Sequence, residues 1–231
     1  MGRKNKLGRF ADLLSYPNVY ENFDTHHPSL VGKDNQPIQL KGQWAKKHFK
    51  NDAPITLELA CGRGEYTVAL AQRHVEKNFI GMDIKGARIW KGATFALEQK
   101  INNAAFLRTR IEFIDHFFDP GEVSEMWITF PDPFPRKSKA NRRLTGDMFL
   151  SRYKAFLPVG GVIHLKTDAD SLYAFTLEVL ESRGDYRIVM HSDDIYSGDL
   201  PHPDLDIKTY YEGKHLEAGK AIKYIQMIRT E

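Results

Sequence analysis

One carboxylate in this chain is framed for chemistry. In Pro131-Asp132-Pro133-Phe134-Pro135-Arg136-Lys137, three prolines in five residues stiffen the backbone around Asp132. The apolar run Met126-Trp127-Ile128-Thr129-Phe130 before it reads as a short buried strand, which the prolines stop. The acid is therefore expected on a rigid turn at a strand's C-terminal end, where open α/β sheets bind their ligands. Arg136, Lys137, Lys139, Arg142 and Arg143 follow. A fixed acid beside a basic tract points to one polar partner and one polyanionic partner. A proline-rich turn next to a solvated charge run is the plainer reading of the same residues.

A second constellation lies upstream. Glu58-Leu59-Ala60-Cys61-Gly62-Arg63-Gly64 reads as a strand, a glycine turn and a helix start. Glycine lets the backbone adopt positive φ and approach a ligand closely. The dinucleotide fingerprint needs a third glycine three residues after Gly64, where this chain has Thr67, so the match is incomplete. Asp83 ends the run Asn78-Phe79-Ile80-Gly81-Met82-Asp83, the place of a ribose-binding acid. Glu58 discriminates between adenosine cofactors. A carboxylate inside an apolar strand is costly when unpaired. It repels a pyrophosphate, whereas a cationic ligand offsets its charge. S-adenosylmethionine carries a sulfonium and an ammonium and no phosphate, so the chemistry favours it over NAD. The alternative is a Glu58 that reaches solvent or an internal arginine. Cys61 is expected to pack under the turn rather than act as a nucleophile.

The elements that hold these groups alternate. Strands are read at residues 55–60, 78–84, 104–107, 125–130, 161–166, 186–190 and 221–228. Helices follow the first two, with stripes of Val68, Ala71 and Val75, then of Trp90, Ala93 and Leu97. Thr145 is a candidate cap for a helix reaching Leu157, and residues 168–182 form another helix. This order predicts an α/β fold with a doubly wound, mostly parallel seven-stranded sheet. No helix signal is read between the last two strands, so antiparallel pairing is expected there. A long polar loop separates them and carries Thr209-Tyr210-Tyr211-Glu212, and loops of that length are functional or disordered. Residues 1–53 are expected to form a basic arm, with Arg3, Lys4, Lys6 and Arg9, and a wrapping segment with a helix near residues 41–49. Residues 54–231 are then the main domain.

Composition excludes several classes. The 231 residues suffice for a substantial core, and 42% hydrophobic with 27% charged is ordinary for a soluble protein. No apolar run reaches the ~20 residues that span a bilayer. The N-terminus lacks the apolar stretch of a signal peptide. A single Cys excludes an internal disulfide and Cys-pair zinc sites, and the nine His show no metal-binding spacing. The expectation is a cytoplasmic protein with no membrane and no metal. A net charge of +3 is too small to argue for nucleic acid, so the clustering of charge carries that case.

Taken together, Glu58-Leu59-Ala60-Cys61-Gly62-Arg63-Gly64, Gly81-Met82-Asp83, Pro131-Asp132-Pro133-Phe134-Pro135-Arg136 and Thr209-Tyr210-Tyr211-Glu212 resemble the tRNA (guanine-N7-)-methyltransferase family, the bacterial single-subunit kind. The similarity runs from about residue 54 to the end. It implies a Rossmann-like S-adenosylmethionine-dependent methyltransferase fold. It also implies methylation at N7 of a guanine in the tRNA variable loop (position 46), with tRNA as partner. Oligomeric state is not readable from the residues, and a monomer and a homodimer both fit. Glu58, Gly62, Gly64, Asp83 and Asp132 are the implied cofactor residues, with Arg110 where the family has Asn or Asp, so only a backbone contact is expected there. Asp132 is the implied catalytic acid. Arg136, Asp168, Thr209, Tyr211 and Glu212 are the implied substrate contacts, and Asp168 is also a candidate cap for the helix after it.

The chain departs from the family pattern at three further positions. Ala60 replaces the first glycine, which is tolerable only if φ is negative. Phe134 replaces Trp. Arg136 replaces Lys, which keeps the charge and changes its geometry. N7 of guanine has a free lone pair, so Asp132 is expected to align the reactants and stabilise growing positive charge rather than remove a proton. Two other classes stay open. An NAD-dependent oxidoreductase is opposed by Glu58 and Thr67. A non-catalytic RNA-binding module on a methyltransferase shell is opposed by the intact carboxylates at Glu58, Asp83 and Asp132.

Overall fold

The computed structural model describes residues 5–231, so Arg3 and Lys4 of the basic arm lie outside the described residues. The chain divides into two compact units, Met1–Asp119 and Pro120–Glu231.

The first unit opens with α1 (Lys6–Ser15), whose Asn5 cap accepts from the Gly8 N–H at 2.8 Å. Three very short strands follow, β1 (Val19–Glu21), β2 (Leu30–Val31) and β3 (Pro37–Ile38). A helical turn at Trp44–Phe49 comes next, then β4 (Ile55–Leu59), α2 (Glu65–Arg73), β5 (Asn78–Asp83), α3 (Gly86–Glu98) and β6 (Ala104–Arg108). The strand order in this unit is β3-β2-β1-β6-β5-β4. β1, β6, β5 and β4 are parallel, and β2 and β3 add on antiparallel. All five residues of β4 and all six of β5 are buried, as expected of parallel strands covered on both faces.

Strands β1 to β3 lie in residues that read as irregular, so the strand count exceeds the seven expected. Two or three residues cannot show a period, and Pro17, Pro28 and Pro37 interrupt the segment. Two helical stripes also differ. Val75 lies beyond the end of α2 and is exposed. The buried face of α3 is Gly86, Ile89, Gly92, Ala93 and Ala96, while Trp90 turns toward α1 and donates to the Asp12 carboxylate at 2.8 Å.

The second unit contains β7 (Val123–Thr129), α4 (Asp147–Tyr153), β8 (Val162–Thr167), α5 (Asp170–Ser182), β9 (Tyr186–Ser192), α6 (Tyr210–Glu217) and β10 (Lys223–Arg229). Its strand order is β7-β8-β10-β9. β7 and β8 are parallel, and β10 runs antiparallel to both β8 and β9. The antiparallel last pair matches the expectation, but α6 lies between those strands where a loop was read. Thr145 does not cap α4. Its hydroxyl bonds that of Thr176 at 2.6 Å, and the helix follows Gly146 and ends at Tyr153. Among the described residues no helix is long and apolar enough to cross a membrane, and no group of three or more His, Cys, Asp or Glu is placed to hold a metal ion.

Candidate active site

In the first unit the parallel register pairs Leu59 with Met82 and Asp83 with Arg108, so β4, β5 and β6 end on one rim. Glu58 sits one residue before that rim and is 3% exposed. It does not reach solvent. Its Oε2 accepts from the Thr67 backbone N–H at 2.8 Å and from the Thr67 hydroxyl. Burial demands a donor, and the first turn of α2 supplies one. Thr67 thus serves Glu58 at the position where a dinucleotide fold has its third glycine. Both of these donors are neutral.

The turn after β4 alternates left-handed residues. Ala60, Gly62 and Gly64 have φ of 58°, 55° and 67°. The condition set by the sequence fails at Ala60: its φ is positive, and a Cβ there is strained. Gly64 has a second constraint, since an added Cβ would collide with the Phe106 ring. The space beside Gly62 is open, with the Ala60 carbonyl 3.9 Å from an added Cβ as its nearest neighbour. Asp83 pins the turn. Its Oδ2 accepts from the Gly62 N–H at 3.0 Å and its Oδ1 from the Lys85 N–H at 2.8 Å. A carboxylate has about four accepting directions, so two remain for ribose hydroxyls. Burial, with Glu58 and Asp83 nearby, pushes the Cys61 thiol well above its ordinary value, which keeps it protonated and unreactive. The Arg110 side chain is half-exposed and pairs with Glu112 at 3.3 Å.

In the second unit Asp132 is exposed at the C-terminal end of β7, and among the described residues its carboxylate has no hydrogen-bond or ion-pair partner. Two bulky residues in the left-handed region flank it, Phe130 at φ 48° and Phe134 at φ 42°. Such strain persists only where the surroundings impose it. The Phe130 N–H donates to the Lys166 carbonyl at 2.8 Å, and its ring stacks on His215 of α6, 5.7 Å between centroids. His215 Nδ1 lies 3.2 Å from Asp168 Oδ2, which Lys220 also reaches at 2.5 Å. The Asp132 loop, Asp168 and α6 are thereby brought together. Asp168 is not a helix cap: α5 starts at Asp170 after Ala169, with no side-chain capping bond.

Thr209 and Glu212 form a reciprocal capping box at the start of α6. Thr209 Oγ1 accepts from the Glu212 N–H at 3.2 Å, and Glu212 accepts from the Thr209 N–H at 3.4 Å. Glu212 is fully buried, paired with Lys166 at 2.8 Å, and accepts from the Tyr196 hydroxyl at 2.7 Å. Lys166, inside β8, also donates to the carbonyls of Leu205 and Ile207. Tyr211 is exposed on the first turn of α6, and Arg136 is exposed before the helical turn Lys137–Arg142.

A protein-family model described as "Putative methyltransferase" matches residues 52–225. A tRNA (guanine-N(7)-)-methyltransferase of Bacteroides fragilis is 50% identical over 225 residues, covering 97% of this chain and 86% of that protein. One from Christiangramia forsetii is 47% identical over 98% of both chains. This chain belongs to the tRNA (guanine-N(7)-)-methyltransferase family. The solved structure of the 16S rRNA methyltransferase KamB has a TM-score of 0.62 at 13% identity, covering 87% of this chain and 98% of that one, a likeness of fold.

Within this methyltransferase, three structural roles escaped the sequence reading although each left a trace. Lys166 stands in the apolar strand Val162–Thr167, and a lysine there requires an acid. Thr209-x-x-Glu212 has capping-box spacing. Arg143 was counted with the exposed basic tract, yet it is only 7% exposed. It donates to the backbone carbonyls of Pro133, Phe134 and Pro135.

Proposed function

We propose that this protein transfers a methyl group from S-adenosylmethionine to N7 of a guanine in tRNA, at position 46 of the variable loop, in the cytoplasm. The observation that carries this reading is the unpartnered carboxylate of Asp132 on a strained, proline-framed turn at a strand end. Family membership supplies the substrate class. Residues 54–231 form the methyltransferase domain, with residues 1–53 as its basic arm and wrapping segment.

The first unit's residues fit the cofactor. Asp83 keeps accepting directions for ribose hydroxyls, the open side of Gly62 admits a ligand against the backbone, and the Glu58 charge suits a cationic amino-acid moiety. Arg110 contributes backbone. When bound, the cofactor supplies an electrophilic methyl group on a sulfonium sulfur. The guanine lone pair needs no deprotonation, so a general base has nothing to remove. Asp132 orients the guanine and stabilises the positive charge that grows on its imidazole ring as N7 becomes quaternary. Arg136 and the exposed lysines after it meet phosphate, which gives affinity and salt dependence rather than sequence selection. Tyr211 contacts the RNA from the exposed first turn of α6. Thr209, Glu212 and Asp168 hold α6 in place through the capping box, the Lys166 pair and His215.

The test is incubation with labelled methyl donor and tRNA, followed by nucleotide mapping. Label in 7-methylguanosine at the variable loop is the expected result, and label elsewhere or none at all overturns the reading. Asp132→Asn keeps the shape and removes the charge. It is expected to slow methyl transfer by roughly 100-fold with tRNA binding retained.

A further inference from the structure

We infer that Arg143 is a positioning residue for Asp132, its guanidinium fixing the acid's loop from behind, and is not one of the phosphate contacts. The inference rests on the reading of Asp132 given above. In sequence Arg143 closes a basic run and looks like its fifth phosphate ligand. In the fold it is separate from that run. Arg136, Lys137, Lys139 and Arg142 are exposed, whereas Arg143 is 7% exposed. Its Nε donates to the carbonyls of Pro133 and Phe134, both at 3.2 Å. Its Nη2 donates to Phe134 at 3.0 Å and to Pro135 at 3.5 Å. The guanidinium carbon lies 4.2 Å from the centroid of the Phe175 ring on α5. The Arg143 N–H bonds the Ala140 carbonyl, and its own carbonyl accepts from Gly146 at the start of α4.

The chemistry of the loop explains why such a residue is needed. Proline has no N–H, so Pro131, Pro133 and Pro135 cannot close the turn with amide donors of their own. Carbonyls of three consecutive residues face one side, and a planar fork with five N–H groups is the side chain that can serve them together. Phe134, at φ 42°, is the residue held by both Nε and Nη2. Released, it would relax toward negative φ and carry Asp132 with it. A lysine offers one point of donation and cannot reproduce the fork.

The experiment compares the full-length wild type with Arg143→Lys, Arg143→Gln, Lys139→Gln and Asp132→Asn. It measures single-turnover rate at saturating tRNA, tRNA Kd at several salt concentrations, and thermal melting. The expected result for both Arg143 variants is a rate lowered roughly 10- to 100-fold, with Kd and its salt slope unchanged and no rescue by lysine. Lys139→Gln should instead weaken binding and reduce the salt slope by about 1. Three results overturn the inference: a weaker Kd with a shallower salt slope for Arg143→Gln, full activity in Arg143→Lys, or an unchanged rate in both. If Arg143→Gln fails to fold, Arg143→Lys and Phe175→Leu give the same comparison. A wild-type rate in Asp132→Asn overturns the reading of the acid itself. A slow Asp132→Asn beside fast Arg143 variants overturns only the positioning role.

Discussion

Thr67 donates twice to a single oxygen of Glu58, from its backbone N–H at 2.8 Å and from its hydroxyl. The contact is built into the sheet. Gly81, which pairs with Glu58 across β4 and β5, has no room for a side chain, because its Cβ would stand 2.6 Å from Thr67 Oγ1. Glu58→Gln keeps an accepting oxygen for Thr67 and removes the charge. Its stability is therefore expected to stay close to wild type while the affinity for S-adenosylmethionine falls about tenfold, some 1.4 kcal/mol. Thr67→Val keeps the shape and loses the hydroxyl donor, at a cost of about 1.5–3 kcal/mol for a hydrogen bond to a charged group. Isothermal titration and urea unfolding separate the two effects. Wild-type affinity in Glu58→Gln would show that the cofactor does not use this charge.

Ala60 carries the strain that the sequence comparison flagged. Its φ of 58° places a Cβ in a region that costs about 1–2 kcal/mol. Ala60→Gly removes that cost and gives back roughly 0.5–1 kcal/mol through the greater freedom of the unfolded chain. The net expectation is a gain of a few tenths to ~1 kcal/mol, seen as a higher urea midpoint at unchanged slope. A destabilised variant would show that the Ala60 methyl makes packing contacts worth more than its strain.

What could be read from the sequence, and what could not, divides by the range of the signal. The seven longer strands are legible because each is a short run rich in apolar residues. Asp83 and Asp132 were legible as strand-end acids for the same reason. The place of Glu58 inside β4 is legible, but its contact with Thr67 is not: Thr67 is nine residues away, and only the return of α2 onto β4 brings them together. Arg143 was misread because a run of like charges in sequence says nothing about which member turns inward. Strands β1 to β3 have too few residues for any period. Residues 203–217 were read as loop although Thr209 and Glu212 have the spacing of a capping box, a local signal available without the structure.

Lys166 and Glu212 form an ion pair with both side chains fully buried. Burial lowers the Lys166 pKa, against the pull of Glu212. Removing one partner leaves an uncompensated buried charge. Lys166→Met is expected to lose about 3–5 kcal/mol, and α6, whose capping box shares Glu212, should loosen first. The double variant Lys166→Met/Glu212→Leu should recover most of that loss, which urea unfolding of the single and double variants measures as a coupling energy. Additive losses would mean that the two charges do not depend on one another.

His48 makes stability depend on acid. Its Nδ1 lies 2.7 Å from the Tyr20 hydroxyl, and its ring packs edge-on against Tyr20, Trp44 and Phe49. Burial, with Lys50 nearby, lowers its pKa from 6.5 to about 4, and burial likewise raises Tyr20 to about 12. Both groups are therefore neutral where they meet, and either can donate the hydrogen bond between them. The unfolded chain takes up a proton near pH 6.5 and the folded chain only near pH 4, so this stability is complete above pH 6.5 and is lost as pH falls toward 4. At pH 4.5 the loss from this one group is about 2.5 kcal/mol. His48→Gln still offers Tyr20 an accepting oxygen and does not titrate. Urea unfolding at pH 7 and pH 4.5 should show wild type losing about 2.5 kcal/mol more than the variant across that interval, and equal losses would mean that His48 already takes up its proton in the folded state at the same pH as in the unfolded chain.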